Sequence, residues 1–134
     1  MKFDRRLTDE IYTSDTVRLG KNAFQAMRET IYHNGGVGTI TGYYDAELSI
    51  LSVSNLLLHN LNHSYESLME QTKGSLKNLF YKKDAAFLDN ARFRQIQGGG
   101  ESQILTADGS PVYVRLYKKD AVDTDGTPIW IMSV

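Results

Sequence analysis

The last third of the chain carries one four-residue pattern twice, Asp108-Gly109-Ser110-Pro111 and Asp125-Gly126-Thr127-Pro128. Asp-Gly between apolar runs is a hairpin signal, because glycine takes a positive φ without a Cβ clash and aspartate tolerates one. The flanking runs are Gln103-Ile104-Leu105-Thr106, Val112-Tyr113-Val114-Arg115-Leu116-Tyr117 and Ile129-Trp130-Ile131-Met132-Ser133-Val134. All three are rich in β-branched and aromatic residues, which suit a pleated, half-buried surface. The pattern predicts a three-stranded antiparallel meander with a long central strand.

Upstream, residues 1–14 are polar and weakly patterned, so a frayed or partner-dependent arm is expected there. From Ser14 or Asp15, either of which can cap a helix, the chain reads as helical to about Tyr32. Val17, Phe24, Met27 and Ile31 fall on alternating three- and four-residue steps if Gly20 fills the remaining position. That is a narrow, coiled-coil-type stripe. Asn34-Gly35-Gly36 ends the helix. Strands are predicted over 37–44 and 48–54 around the turn Asp45-Ala46-Glu47, and Asn55 opens short helices over 56–61, 65–71 and 76–80. A longer helix fits 83–97, and Gly98-Gly99-Gly100 reads as a break before the meander. Strands and helices are segregated rather than alternating, which predicts an α+β fold with an antiparallel sheet.

Composition narrows the function classes. At 134 residues the chain makes one domain with a real core, and 41% apolar with 23% charged residues suits a globular protein. A formal charge of −1 gives no electrostatic footprint for nucleic acid or an acidic membrane surface. Lys82-Lys83 and Lys118-Lys119 stand beside Asp84 and Asp120 and read as solvated faces or turn residues. Cysteine is absent, which removes disulfides, thiolate metal sites, cysteine nucleophiles and thiol-adduct photochemistry. No signal-peptide core follows Met1, and the longest apolar runs fall far short of the roughly 20 residues that span a bilayer. A cytoplasmic location is expected, and both ends look cut from a longer chain.

The order of elements, with these residues, resembles a PAS domain over 35–134. In that family an asparagine closes the second strand and opens a leucine-rich turn, followed by a Gly-Tyr-Ser-like break and a Glu-Glu-Leu-like helix. The matching stations are Asn55-Leu56-Leu57-Leu58-His59-Asn60-Leu61, Asn62-His63-Ser64 and Tyr65-Glu66-Ser67-Leu68. Next comes a glycine-containing turn into a short helix, 73–84, and then the Asp-Gly hairpins with the pair Tyr113-Val114. Two features depart from the pattern: Asn62-His63 replaces Gly-Tyr, and the chain stops at Val134 before the usual Asp-Ile-Thr. The resemblance implies a five-stranded antiparallel sheet in the order 2-1-5-4-3, short helices on one face, and an additional N-terminal helix. It divides the chain into an arm and signalling helix, 1–34, and the PAS domain, 35–134.

Other motifs carry little chemistry. His59 and His63 have the i, i+4 spacing of metal ligands, but Asn60 and Asn62-His63-Ser64 read as a helix end that turns the second ring away. No metal site and no cofactor are expected. Residues 36–42 come close to a dinucleotide loop but lead into a strand where that motif must open a helix. No nucleophile elbow groups the serines, histidines and aspartates, so no enzyme activity is expected.

Strand alternation places Val112, Val114 and Leu116 on one face and Tyr113 and Tyr117 on the other. The resemblance turns the first set toward the short helices, where Phe80, Phe87 and Ile96 would complete an apolar pocket. Tyr113 and Tyr117 would then join Val17, Phe24, Met27 and Ile31 as homodimer contacts. The function implied is a non-catalytic regulatory module of a bacterial signalling protein. Such a module dimerises and passes a signal to a covalently linked output domain of the diguanylate cyclase, phosphodiesterase or histidine kinase class. A sensor that holds a small molecule in the pocket is the alternative, and neither reading involves nucleic acid or direct membrane contact.

Overall fold

A computed structural model describes residues 11–13, 19–34, 38–81 and 90–134. Six strands form one antiparallel sheet: β1 (Ile11–Thr13), β2 (Thr39–Tyr43), β3 (Ile50–Ser54), β4 (Gly98–Leu105), β5 (Pro111–Val122) and β6 (Pro128–Ser133). The helices are α1 (Lys21–Asn34), α2 (Asn55–Asn60), α3 (Tyr65–Thr72) and α4 (Asn90–Gln95), with a 3-10 turn at Leu76–Asn78. The sheet order is β1-β3-β2-β6-β5-β4. Without β1 this is the expected 2-1-5-4-3, so the α+β fold predicted from the sequence is correct.

The meander owes its register to its turns. Gly109 and Gly126 adopt φ of 83° and 80°, and each donates its N–H back to the residue that opens its turn, Thr106 or Asp123. A carboxylate braces each turn from within. Asp108 accepts the Ser110 N–H, and Asp123 accepts those of Asp125 and Thr127. The Thr106 hydroxyl and the Ser110 N–H hold the exposed Asp108 carboxyl below its ordinary range.

Both faces of the sheet are covered. On the inner face, Ile40, Val53, Leu116, Trp130 and Met132 pack with Leu57, Leu58, Leu61, Leu68, Leu76 and Phe93 into the main core. On the outer face, Leu51, Ile129 and Ile131 pack with Leu19, Ala23, Ala26 and Met27. β6 alternates strictly between the two cores, as the two-residue period of a strand requires. β3 departs from that period. Ile50 pairs with Gly42 while Ser52 pairs with Thr41, leaving Leu51 as the extra residue of a bulge. The bulge brings Leu51 to the outer core while Ile50 stays in the inner one.

Several boundaries differ from the sequence reading. Ile11–Thr13 is not a free arm but pairs with β3, Tyr12 opposite Val53. Leu19 and Gly20 precede α1, so the helix begins at Lys21 rather than at residue 15; Ser14, Asp15 and Val17 lie outside the described residues. Gly98–Gly100 is strand rather than a break. These glycines pair with Lys118, Tyr117 and Leu116, and the Tyr117 and Leu116 side chains lie against the positions where Cβ atoms would be. Cross-strand packing outweighs the low strand propensity of glycine. Of the helix expected over 83–97, the described part is α4, while Phe87 lies outside the described residues.

Candidate functional site

The inner face has a packed centre and two unlike ends. At the centre, Phe93 meets Trp130 edge to face with ring centroids 5.7 Å apart, and Leu116 and Phe80 are buried beside them. Trp130 donates its indole N–H to the Tyr43 carbonyl at 3.0 Å, so the largest buried ring leaves no polar atom unpaired.

Toward the β4–β5 turn, a cleft of about 320 Å³ opens between α2 and the sheet. Leu57 and Leu61 of α2 and its end face Ile104, Val112, Val114 and Val134 across it, with Asn60, Tyr113 and Arg115 completing the lining. The serine that closes β3 fixes α2 in place. Ser54 Oγ accepts the Leu57 N–H as a helix cap and the Thr39 N–H of β2 as a brace. The lining suits an apolar ligand with one or two polar groups.

The opposite end is polar. Lys118 points inward with its side chain fully buried, and its Nζ donates to the Ile96 carbonyl at 2.9 Å and to Asp120 Oδ1 at 3.0 Å. Tyr44 also donates to Asp120 Oδ1, and Gln97 donates to Oδ2 at 2.9 Å. The Phe93 and Tyr44 rings lie 5.0 and 5.1 Å from the ammonium, close enough for cation–π attraction. Burial lowers the Lys118 pKa, and the bond to Asp120 opposes that shift. Burial raises the Asp120 pKa, but the bonds from Tyr44, Lys118 and Gln97 outweigh it and hold the carboxyl below its ordinary value. Burial and then the Asp120 bond push the Tyr44 phenol far up. Lys118 is therefore not the solvated lysine that its Lys-Lys-Asp context predicts. Alternation turns Lys119 outward to pair with Glu29 of α1 and Lys118 inward.

The residues singled out from sequence separate into these regions. Val112 and Val114 line the cleft, whereas Leu116 and Phe80 lie in the packed centre and Ile96 lies against it. The expected pocket is thus displaced along β5 toward the turn, because Phe93 and Trp130 fill the centre. Leu57, Leu61 and Val134 complete the cleft; the leucine-rich turn after Asn55 was the signal that could have found the first two. On the outer face, Met27 is fully buried against the sheet with Ala23 and Ala26, and Phe24 and Ile31 are half-buried. The stripe expected to face a second copy is thus directed, at Met27, into this chain's own sheet. Tyr117 stacks on His33 of α1 with centroids 4.8 Å apart, while Tyr113 and Tyr32 remain exposed. Asn62 adopts φ of 60° and ends the helical path, so His63 turns to Ser67 and Gln71 of α3, away from His59.

No family model matches the sequence, and no curated protein matches it. Solved structures do. The PAS domain of an HTR-like protein from Haloarcula marismortui superposes with a TM-score of 0.57 at 14% identity, over 82% of this chain and 94% of that one. The photo-excited blue-light photoreceptor Vivid superposes with a TM-score of 0.51 at 13% identity, over 72% of this chain and 76% of that one. Strand order, the helices on the inner face and these superpositions agree: this chain has the PAS fold.

Proposed function

We propose that this chain is a non-catalytic signalling module, which couples the space under its sheet to α1 on the opposite face and onward to a linked output domain. The observation that supports this reading most is the sharing of two strands between the faces. Trp130 and Met132 of β6 pack inward, while Ile129 and Ile131 pack against α1. In β5, Lys118 and Asp120 hold the α4–β4 junction while Tyr117 and Lys119 contact α1. A displacement of either strand is felt on both faces, which is what a two-state relay requires. The output is a diguanylate cyclase, phosphodiesterase or histidine kinase by analogy of fold. Exposed Tyr113 and Tyr32 are the surfaces offered to a second copy.

The sensor reading is favoured by the cleft beside Val112. An apolar molecule there would bias the packing of α2 against β5. Light sensing through a cysteine adduct has no residue to form on. The test is native mass spectrometry of freshly purified protein together with amide exchange in α1. A bound apolar molecule, lost in Val112→Phe with changed exchange across 21–34, is the expected result. If no mass is retained and cleft filling leaves α1 exchange untouched, the relay reading fails.

A further inference from the structure

The turn between α2 and α3 gathers a hydroxyl, an imidazole and an amide into one chain of hydrogen bonds. Asn62, at φ of 60°, turns the backbone so that His63 faces along α3. The ring meets Ser67 Oγ through Nδ1 at 2.7 Å and Gln71 Oε1 through Nε2 at 2.5 Å. Ser67 and Gln71 are four residues apart and so share a face of the helix. Gln71 is oriented from its far side: its Nε2 donates to the Thr106 carbonyl at 3.2 Å, which turns Oε1 to the imidazole. An amide oxygen only accepts, so the neutral ring carries its proton on Nε2 and donates it to Gln71. Nδ1 then holds a lone pair, and the Ser67 hydroxyl is the donor that reaches it. The Ser64 carbonyl, at 3.1 Å from Ser67 Oγ, is the more distant acceptor for the same proton. Ser67 and His63 are half-buried and Gln71 is exposed, so the group is reached from solvent.

A hydroxyl, a base that accepts its proton and a third group that fixes the base are the parts of an activated nucleophile. We propose that Ser67 is a covalent modification site, acylated by small activated esters, with His63 as general base and Gln71 as its positioning residue. Ser67 Oγ attacks the ester carbonyl while its proton passes to His63 Nδ1. The tetrahedral adduct then expels the alcohol, which leaves with that proton. The products are an ester on Ser67, a free alcohol and a neutral His63, so atoms and charge balance without another reactant. Ser67 lies in the first turn of α3, where the helix dipole favours the negative charge that develops on the carbonyl oxygen. This site is separate from the cleft beside Val112 and does not depend on it.

The test is exposure of the whole chain to p-nitrophenyl acetate, followed by intact mass and peptide mapping. The expected result is a single acetyl group on Ser67, which does not form in urea-unfolded protein. His63→Ala slows that acetylation by about a hundredfold, the low end of general-base catalysis. Added imidazole restores part of the rate, which it would not do had the variant merely lost its fold. Gln71→Ala, which removes one hydrogen bond to the forming imidazolium, slows it by about tenfold. Gln71→Glu keeps the acceptor and recovers most of the rate. His59→Ala, at an exposed histidine of α2, leaves it unchanged. Acetyl groups on lysines or the N-terminus alone overturn the proposal, as does equal labelling of Ser67 in His63→Ala. A loss in His63→Ala that imidazole fails to restore also overturns it, since His63 would then serve the fold alone.

Discussion

Gly42 sits in β2 beneath Trp130 and beside the bulge of β3. A Cβ there would overlap both the Trp130 ring and the Ser49 carbonyl, and neither can yield cheaply, one being buried aromatic and the other backbone. Gly42→Ala should cost about 3 kcal/mol, the upper range for overpacking, read as a lower midpoint in urea unfolding. Asp120 gives a pH-dependent prediction. Its folded pKa lies below the ordinary 3.8, so the folded state binds a proton less readily than the unfolded chain. Its contribution is present above the unfolded value and is lost as the pH falls through the folded one. Asp120→Asn should therefore be less stable than the parent at neutral pH, because Lys118 loses its counter-charge. The gap should narrow as acid protonates Asp120 in the parent. Unfolding midpoints from pH 7 downward check this, and a constant gap would contradict the assignment.

At the scale of elements, α1 shows how small residues govern docking. Ala23, Ala26, Met27 and Thr30 form its buried face, at the i, i+3, i+4, i+7 spacing of a helix laid on a sheet. The alanines let the backbone approach closely, so bulky Phe24 and Ile31, which drew the sequence reading, flank the contact. Buried Thr30 is satisfied locally. Its hydroxyl donates to the Met27 carbonyl, and its own carbonyl accepts from Ser133 of β6. Met27→Ala should destabilise the fold by about 3 kcal/mol, as other large-to-small core changes do. Tyr32→Ser, on the exposed side of the same helix, should stay within about 0.5 kcal/mol. Chemical denaturation followed by circular dichroism separates the two. Equal effects would mean that α1 does not dock on the sheet as described. The polar contacts around it, Asn22 to the Val122 N–H and Glu29 to Lys119, set orientation more than strength.

For the whole molecule, no helix among the described residues is long and apolar enough to cross a membrane. What the sequence by itself determined is whatever local sterics dictate. Asp-Gly turns need a positive φ, and β-branched runs need extended backbone. Those signals suffice for the hairpins, the segregation of strands and helices, and, through the ordered stations after Asn55, the fold. Only the tertiary structure decided which face each element buries. The same Lys-Lys-Asp stretch puts one lysine in the core and the other on the surface, and Gly98–Gly100 becomes strand only because Tyr117 and Leu116 lie over it. The cleft beside Val112 belongs to this second kind. Its walls are assembled from α2 with β4 and β5. The reason is range: φ and ψ preferences act within a few residues, whereas burial and charge pairing depend on segments far apart in the chain.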